Sequence, residues 1–499
     1  MSSRRHRTVL VVTCLALATV VSSVPALNVA IPELARDIGA TQTELAWIVD
    51  AYALVFAALL LTGGALGDRI GRRRVLLAGL LVFGLGAAIA MTASGPTELI
   101  VLRGVLGVGA ALVMPATLST ITATFPDKER VKGIAVWTGV AGASAVLGVF
   151  ASAILLEWFS WRSIFALNVV LAVVAIAGTA RVVPESADSE RAARDPMGSL
   201  LAVVGLGVLV YSVLEAPTYG WGATRTVVGC LGGVVVIVCF VAWEMRTPRP
   251  LLDPRHFRDR AVSAGTLSLA AQFFCFFGFI FVILQYFQEV RGDSPLVAAV
   301  SMLVLPAGLI PAARSAPILV QCFGQRLLCG LGLSLIGAAT LGLHAVGGDT
   351  PYWVIGCLIF PIGLGMGFAM TPATTAITAG MPRAQQGVAS ALNDLSRELG
   401  GALGIAVLSS LMASTYRDRL RLPAEGRLPP GAGDAARSSL AAASQLGPQI
   451  AGEARTAFIA GMQHAFLVSG IVTLVAGAVV VVVLKVGTTP EPVTAIEDS

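Results

Sequence analysis

The stretch Gly64-Ala65-Leu66-Gly67-Asp68-Arg69-Ile70-Gly71-Arg72-Arg73-Arg74 sets five charges into seven residues between two runs apolar enough to cross a bilayer, Leu45 to Leu66 and Val75 to Thr92. Moving an arginine to the centre of a bilayer costs about 3 kcal/mol or more, so these residues belong in a tight turn at one membrane face. Short loops rich in Lys and Arg lie on the cytoplasmic side, which makes this turn the marker from which the topology is counted.

The composition agrees. The 499 residues are 56% hydrophobic and 13% charged, with a mean hydropathy of +0.82, whereas soluble domains carry about 25% charged residues. The chain is therefore a polytopic, all-α membrane protein, with the lipid bilayer as its permanent partner. Its net charge of +5 raises the question of nucleic acid, but the arginines fall in short loops and form no continuous stripe, so no nucleic-acid partner is expected. The seven cysteines lie in or beside apolar segments without Cys-x-x-Cys spacing or clustered His, so they read as small fillers, and neither a metal nor a cofactor is expected.

Outward from the turn, apolar runs recur along the chain. The first, Thr8 to Ile31 behind the basic start Met1 to Arg7, is too long for the core of a signal peptide. A pair at Met197 to Ala216 and Val227 to Trp243 precedes a basic, Pro-rich loop, and the last runs are Gly387 to Met412 and Phe458 to Lys485. In all, fourteen spans are expected. With the N-terminus inside, the cytoplasmic loops hold Arg72, Arg73, Arg74, Lys128, Arg130, Lys132, Arg255, Arg258 and Arg326 among others, against mainly Arg36, Arg162, Arg225 and Arg291 in the opposite short loops. Both termini are then cytoplasmic. A polar loop from Ala413 to Ala457 falls outside, with a short amphipathic helix around Asp434 to Gln445.

Charged residues within spans point to chemistry, because burying one is costly. Asp50 lies in the second span, Arg103 in the fourth, and Asn393-Asp394-Leu395-Ser396-Arg397-Glu398 in the thirteenth. Asp394 and Glu398 share a helical face at i, i+4, and Arg397 is i+3 from Asp394. Either the group works on protons or the Asp394 and Arg397 pair only fastens the helix to a neighbour. Residues expected to line a central cavity are Asn28, Tyr52, Trp137, Gln285, Tyr286 and Gln288, whereas the phenylalanines crowded between Phe273 and Phe281 must mostly face lipid or neighbouring helices. Arg314 in the tenth span reads as an anchor near the cytoplasmic end or as an attraction for an anionic substrate. No Gly-x-x-x-x-Gly-Lys-Ser/Thr phosphate loop is present, and no soluble domain is large enough for catalysis, so the expected energy source is an ion gradient and an enzyme is not expected.

The opening stretch resembles the signature loop between the second and third helices of the major facilitator superfamily, through Gly64, Leu66, Asp68, Arg69, Gly71, Arg72 and Arg73. Leu102-Arg103-Gly104 with Gly107 and Gly109, Asn28-Val29-Ala30-Ile31-Pro32, Trp161-Arg162-Ser163-Ile164-Phe165 with Asn168, and Gly387 and Ser390 with Asn393, Arg397, Gly400 and Gly401 are similar to patterns of its fourteen-helix drug:proton antiporters.

The resemblance implies a six-helix bundle over residues 1–183, a linker with inserted helices seven and eight over 184–260, a second bundle over 261–485 and a cytoplasmic tail over 486–499. It further implies a monomer in the bacterial cytoplasmic membrane that exchanges protons for small molecules such as drugs or antibiotics. Asp50, Arg103, Asp394, Arg397 and Glu398 would couple to protons. Gly64, Asp68, Arg69, Gly71, Arg72, Arg73 and Asp127 would form the gate, with Asp68 bracing the second bundle and Arg72 reaching Asp127. Gly324-Gln325-Arg326 echoes Gly71-Arg72-Arg73 in the second half, with Gln321 where Asp68 would repeat. Two departures stand out. Ser23 occupies the place of an expected first-helix Asp, and Gly148-Val149-Phe150-Ala151-Ser152-Ala153 lacks the proline and paired glycines of the antiporter motif. A carrier for one endogenous metabolite, or a membrane sensor or membrane-embedded enzyme, remain the alternatives.

Overall fold

The computed structural model describes residues 3–187, 195–422 and 432–484. Among the described residues the secondary structure is helical throughout. The first crossing consists of α1 (Ser3–Val21) and α2 (Ser23–Asp37), separated at Ser22, and five helices follow: α3 (Gln42–Ile70), α4 (Arg72–Ala90), α5 (Pro96–Thr124), α6 (Asp127–Trp158) and α7 (Arg162–Val182). The inserted pair is α8 (Pro196–Tyr219) and α9 (Thr224–Glu244). The second half holds α10 (Arg260–Gln285), α11 (Pro295–Met302), α12 (Val304–Leu343), α13 (Tyr352–Ala379), α14 (Gln386–Arg419), the short α15 (Ala432–Ser438) and α16 (Leu440–Ser444), and α17 (Pro448–Val483).

Among the described residues, thirteen stretches are long and apolar enough to cross a membrane. One of them, Pro295–Leu343, has 49 residues, or about 74 Å at 1.5 Å per residue, while a bilayer is about 30 to 45 Å thick. It folds back at Gly324, whose φ of 77° interrupts the helical backbone of α12. Two crossings therefore lie within this one stretch, which makes fourteen among the described residues. Gly71, between α3 and α4, has φ of 113°. The two turns that echo each other in sequence thus both depend on a left-handed glycine, where a Cβ would be strained.

Helices α1 to α7 pack on one another, as do α10 to α14 with α17, and the halves meet along α3 and α5 against α14 and along α6 against α12 and α13. Thr138 of α6 and Thr371 of α13 share a hydrogen bond of 2.8 Å across that junction. Across this junction α3 and α14 meet backbone to backbone, where a Cβ on either Gly64 or Gly387 would overlap the other residue's carbonyl oxygen. The inserted pair packs on itself and lays α8 against α3 and α14. The phenylalanines of α10 sit within the protein: Phe273, Phe276 and Phe279 are fully buried.

Helices extend into the polar segment 413–457 from both ends: α14 continues to Arg419 and α17 begins at Pro448. Polarity hid helices that have tertiary partners: Tyr416 is buried and donates to the carbonyl of Ala436 (2.8 Å), and Ala454 and Ala457 are buried. The short amphipathic segment forms two helices, α15 and α16.

At the end of the molecule away from Gly71, the Trp161-Arg162 motif gathers three connections. The Trp161 indole and the Arg162 guanidinium each donate to Asp37 at 2.8 Å, Arg162 also reaches the carbonyls of Met91 and Ala93, and it stacks on the Trp161 ring at 4.3 Å. The Trp161 and Arg162 hydrogen bonds hold the Asp37 carboxyl below its ordinary pKa. A lowered pKa gives stability that is complete above the unfolded value near 4 and is lost as pH falls through the folded value. Asp37→Asn should therefore lower the unfolding temperature of the purified protein at neutral pH, and the gap to the parent should close as the pH falls below about 4. Melting curves across that range check both limbs.

Candidate functional site

The turn after α3 forms the first half of the site. Asp68 is 2% exposed, and its carboxylate accepts the backbone N–H of Gly387 through both oxygens (2.8 Å each) and that of Val388 (3.2 Å). These are first-turn amides of α14, which lack partners within their own helix and carry the positive end of its dipole. A residue on α3 thus caps a helix 319 positions away. Arg72, one turn on, pairs with the same carboxylate.

Arg72 also reaches the Ser186 hydroxyl at 3.4 Å and donates its own amide to the Ser186 carbonyl at 3.0 Å. These are its described partners, and the side chain of Asp127 lies outside the described residues. The neighbouring Glu185 accepts the amide of Arg73 (3.2 Å) and pairs with Arg74 (3.6 Å), while Arg73 donates to the carbonyl of Ala180. The segment after α7 therefore closes over the turn. Sequence reasoning missed it because Pro184 to Ala187 carries no motif. Arg69 is exposed.

Deeper along α14 the charged run is buried. Asp394 is fully buried and Arg397 is 2% exposed, 3.7 Å apart, with the Asn393 amide donating to Asp394 at 3.0 Å. The second oxygen of Asp394 has no hydrogen-bond partner among the described residues. The Arg397 guanidinium lies over Phe273 of α10 (4.5 Å) and toward Trp137 of α6 (5.5 Å), so it touches both halves. Trp137 is held in place by Thr117 of α5, which accepts its indole N–H at 3.0 Å. Phe273 had looked like packing alone, since one aromatic among many gives no signal of the cation it faces. Glu398, one turn beyond Asp394, is half-buried.

In the first half, Arg103 of α5 is fully buried. Its Nε donates to the carbonyl of Ile48 (2.8 Å), its Nη1 to Ser23 (3.4 Å), and it stacks on Tyr52 at 4.5 Å. Asn168 of α7 donates to the same Ser23 hydroxyl at 3.4 Å. Ser23 thus stands where it meets Arg103 as a neutral partner, and Nη2 of Arg103 has no hydrogen-bond partner among the described residues. Asp50, half-buried on α3, lies within electrostatic reach of Arg103 and Glu215, and Tyr52 within reach of both Arg103 and Glu398. The Tyr52 hydroxyl itself donates to the carbonyl of Val20 at 3.2 Å.

The other expected cavity residues separate from this centre. Asn28 is exposed. Gln285 bonds back to the carbonyl of Phe281 (3.1 Å), and Tyr286 is buried and donates to the carbonyl of Gly347 (2.7 Å). Gln288 is exposed within the π-helical turn Tyr286–Val290. Twelve to fifteen residues beyond Phe273, this group lies roughly 20 Å along the helix from Arg397.

A family model described as Major Facilitator Superfamily matches residues 10–405. The methyl viologen resistance protein SmvA of Salmonella typhimurium is 32% identical over 96% of both chains. The tetracenomycin C resistance and export protein of Streptomyces glaucescens is 32% identical over 90% of this chain and 86% of its own, and the multidrug efflux pump LfrA of Mycolicibacterium smegmatis is 32% identical over 91% and 92%. Among solved structures, the human organic anion transporter MFSD10 aligns with 96% of this chain and 100% of its own, at a TM-score of 0.66 and 14% identity, a likeness of fold.

The Asp68 cap carries a stability prediction. Asp68→Ala leaves Arg72 buried without its ion pair and two helix amides without their acceptor, and should cost about 3 to 5 kcal/mol. Asp68→Asn keeps one acceptor oxygen and should cost less, about 1 to 3 kcal/mol. Denaturant or thermal unfolding of the purified variants ranks the two.

Proposed function

The chain belongs to the major facilitator superfamily, and we propose that it exports drugs, antibiotics or other amphiphilic small molecules across a bacterial cytoplasmic membrane, exchanging them for protons by alternating access. The full-length similarity to resistance and export proteins supports the direction and the broad cargo. The observation that supports the mechanism best is the contact of Arg397 on α14, beside the buried Asp394, with Trp137 of the first half.

In this reading the Gly71 turn faces the cytoplasm, as do both termini, and a single chain is the working unit. Residues 1–183 and 261–485 are the moving bundles, 184–260 carries the inserted pair, and 486–499 is the tail. The Asp68 clasp on α14 closes the cytoplasmic face, with Gly64, Arg69, Gly71, Arg72, Arg73 and Asp127 as the surrounding gate. Opening it breaks the cap on α14 and the Gly64 to Gly387 contact.

Protons act on Asp50, Asp394 and Glu398. The free energy of a buried carboxylate depends on its water and on its nearest cation. When the halves rock, Arg397 of α14 leaves the face of Trp137 on α6 and water can enter, so one movement changes what Asp394 and Glu398 prefer to hold. Water entering beside Arg103 does the same for Asp50. A conformational change that alters proton affinity is, by linkage, one that protons drive. Tyr52, Trp137 and Phe273 offer aromatic faces to a lipophilic cargo, with Asn28, Gln285, Tyr286 and Gln288 farther along its path.

Glu398→Gln should reduce pH-gradient-driven ethidium uptake into inverted membrane vesicles to that of vesicles without the protein, while the amount inserted stays the same. Unchanged uptake would remove Glu398 from the coupling role.

A further inference from the structure

A groove of about 210 Å³ runs between the halves, bounded by Ala18 of α1, by Val136, Val140, Ala143 and Leu147 of α6, and by Ile310 and Arg314 of α12. Its side of α6 is the outer one. At 100° per residue, Val136, Val140 and Leu147 point about 160 to 180° away from Thr138, which faces α13 in the interior. Leu147 is 47% exposed, on a helix that crosses the membrane. The groove therefore opens to lipid.

Its lining is apolar except at two points. The Ser144 hydroxyl is already donated to the carbonyl of Val140 at 2.6 Å. Arg314 is exposed, has no hydrogen bond, ion pair or ring contact among the described residues, and meets no carboxylate in the lining. An arginine inside a span ordinarily turns toward a partner or snorkels to the nearer interface. Arg314 lies ten residues before the Gly324 bend, about 15 Å from it. Snorkelling and local thinning of the bilayer bring a lipid phosphate to such a charge.

We infer that this groove binds an anionic phospholipid from the leaflet on the Gly71 and Gly324 face, with its phosphate on Arg314 and an acyl chain along Val136, Val140 and Leu147. Charge complementarity selects the head group, and the dry lining selects the chain. A zwitterionic lipid gains less, because its own cation competes for the phosphate. The site spans the junction of the two halves, so the bound lipid rests on both moving parts.

Native mass spectrometry of the delipidated full-length protein, titrated with phosphatidylglycerol or phosphatidylethanolamine of matched chains, tests this. Arg314→Leu takes a charge out of lipid and should fold; Arg314→Gln serves if it does not. Either variant should hold the tightest phosphatidylglycerol about fivefold or more weakly than the parent. Arg314→Lys should keep most of the affinity, and phosphatidylethanolamine binding should not change. Equal phosphatidylglycerol binding in parent and neutral variants overturns the assignment. So does a loss confined to a single-chain acid such as dodecyl sulfate with phosphatidylglycerol unaffected, which would make the groove an entry for anionic cargo.

Discussion

The structure depends on one carboxylate spanning 319 residues of sequence. Asp68 holds the first amides of α14 and the guanidinium of Arg72 in a site almost without solvent. A charge there is stable only while its donors are in place, since removing them leaves an uncompensated buried ion. The same contact brings Gly64 and Gly387 backbone to backbone, an approach that a single methyl group would forbid. The clasp is therefore strong, and in the proposed cycle its opening is all-or-none, as separating two bundles would require.

What lies beneath the clasp has the opposite character. Around Tyr52 and Trp137 the polar groups are only partly matched: Arg103 meets a serine in place of an acid, Arg397 relies on aromatic faces, and one oxygen of Asp394 has no protein donor. Such a network gives up little when it is rearranged. The proposed cycle uses both kinds of contact, a decisive one at the gate and adaptable ones where cargo and protons would be exchanged. Trp161, Arg162 and Asp37 supply a fixed brace at the other end of the first half.

The membrane crossings were legible because hydropathy and glycine both leave strong traces. Even the continuous helix α12 was expected as two spans, since its apolar runs break between Val320 and Leu327. The charged candidates on α14 were legible too, because charge is rare in such segments. Partners were harder to see. The choice of Arg72 among nearby oxygens depends on where Pro184 to Ala187 folds back, and nothing local records that. The Tyr286 hydroxyl is taken up by Gly347, a partner 61 positions away that no local pattern names. The polar ends of α14 and α17 were read as loop because their partners are tertiary, and a hydropathy count sees only the segment itself.

The central claim is that the Asp68 contact is a reversible gate between the halves. Spin labels at the exposed Arg69 and Arg383, on opposite sides of that contact, report it directly through pulsed electron spin distance measurements in lipid nanodiscs. The account predicts two distances in exchange, the longer one enriched by Asp68→Asn and shifted by pH in the parent protein. A single distance, the same in parent and variant at every pH, would contradict it.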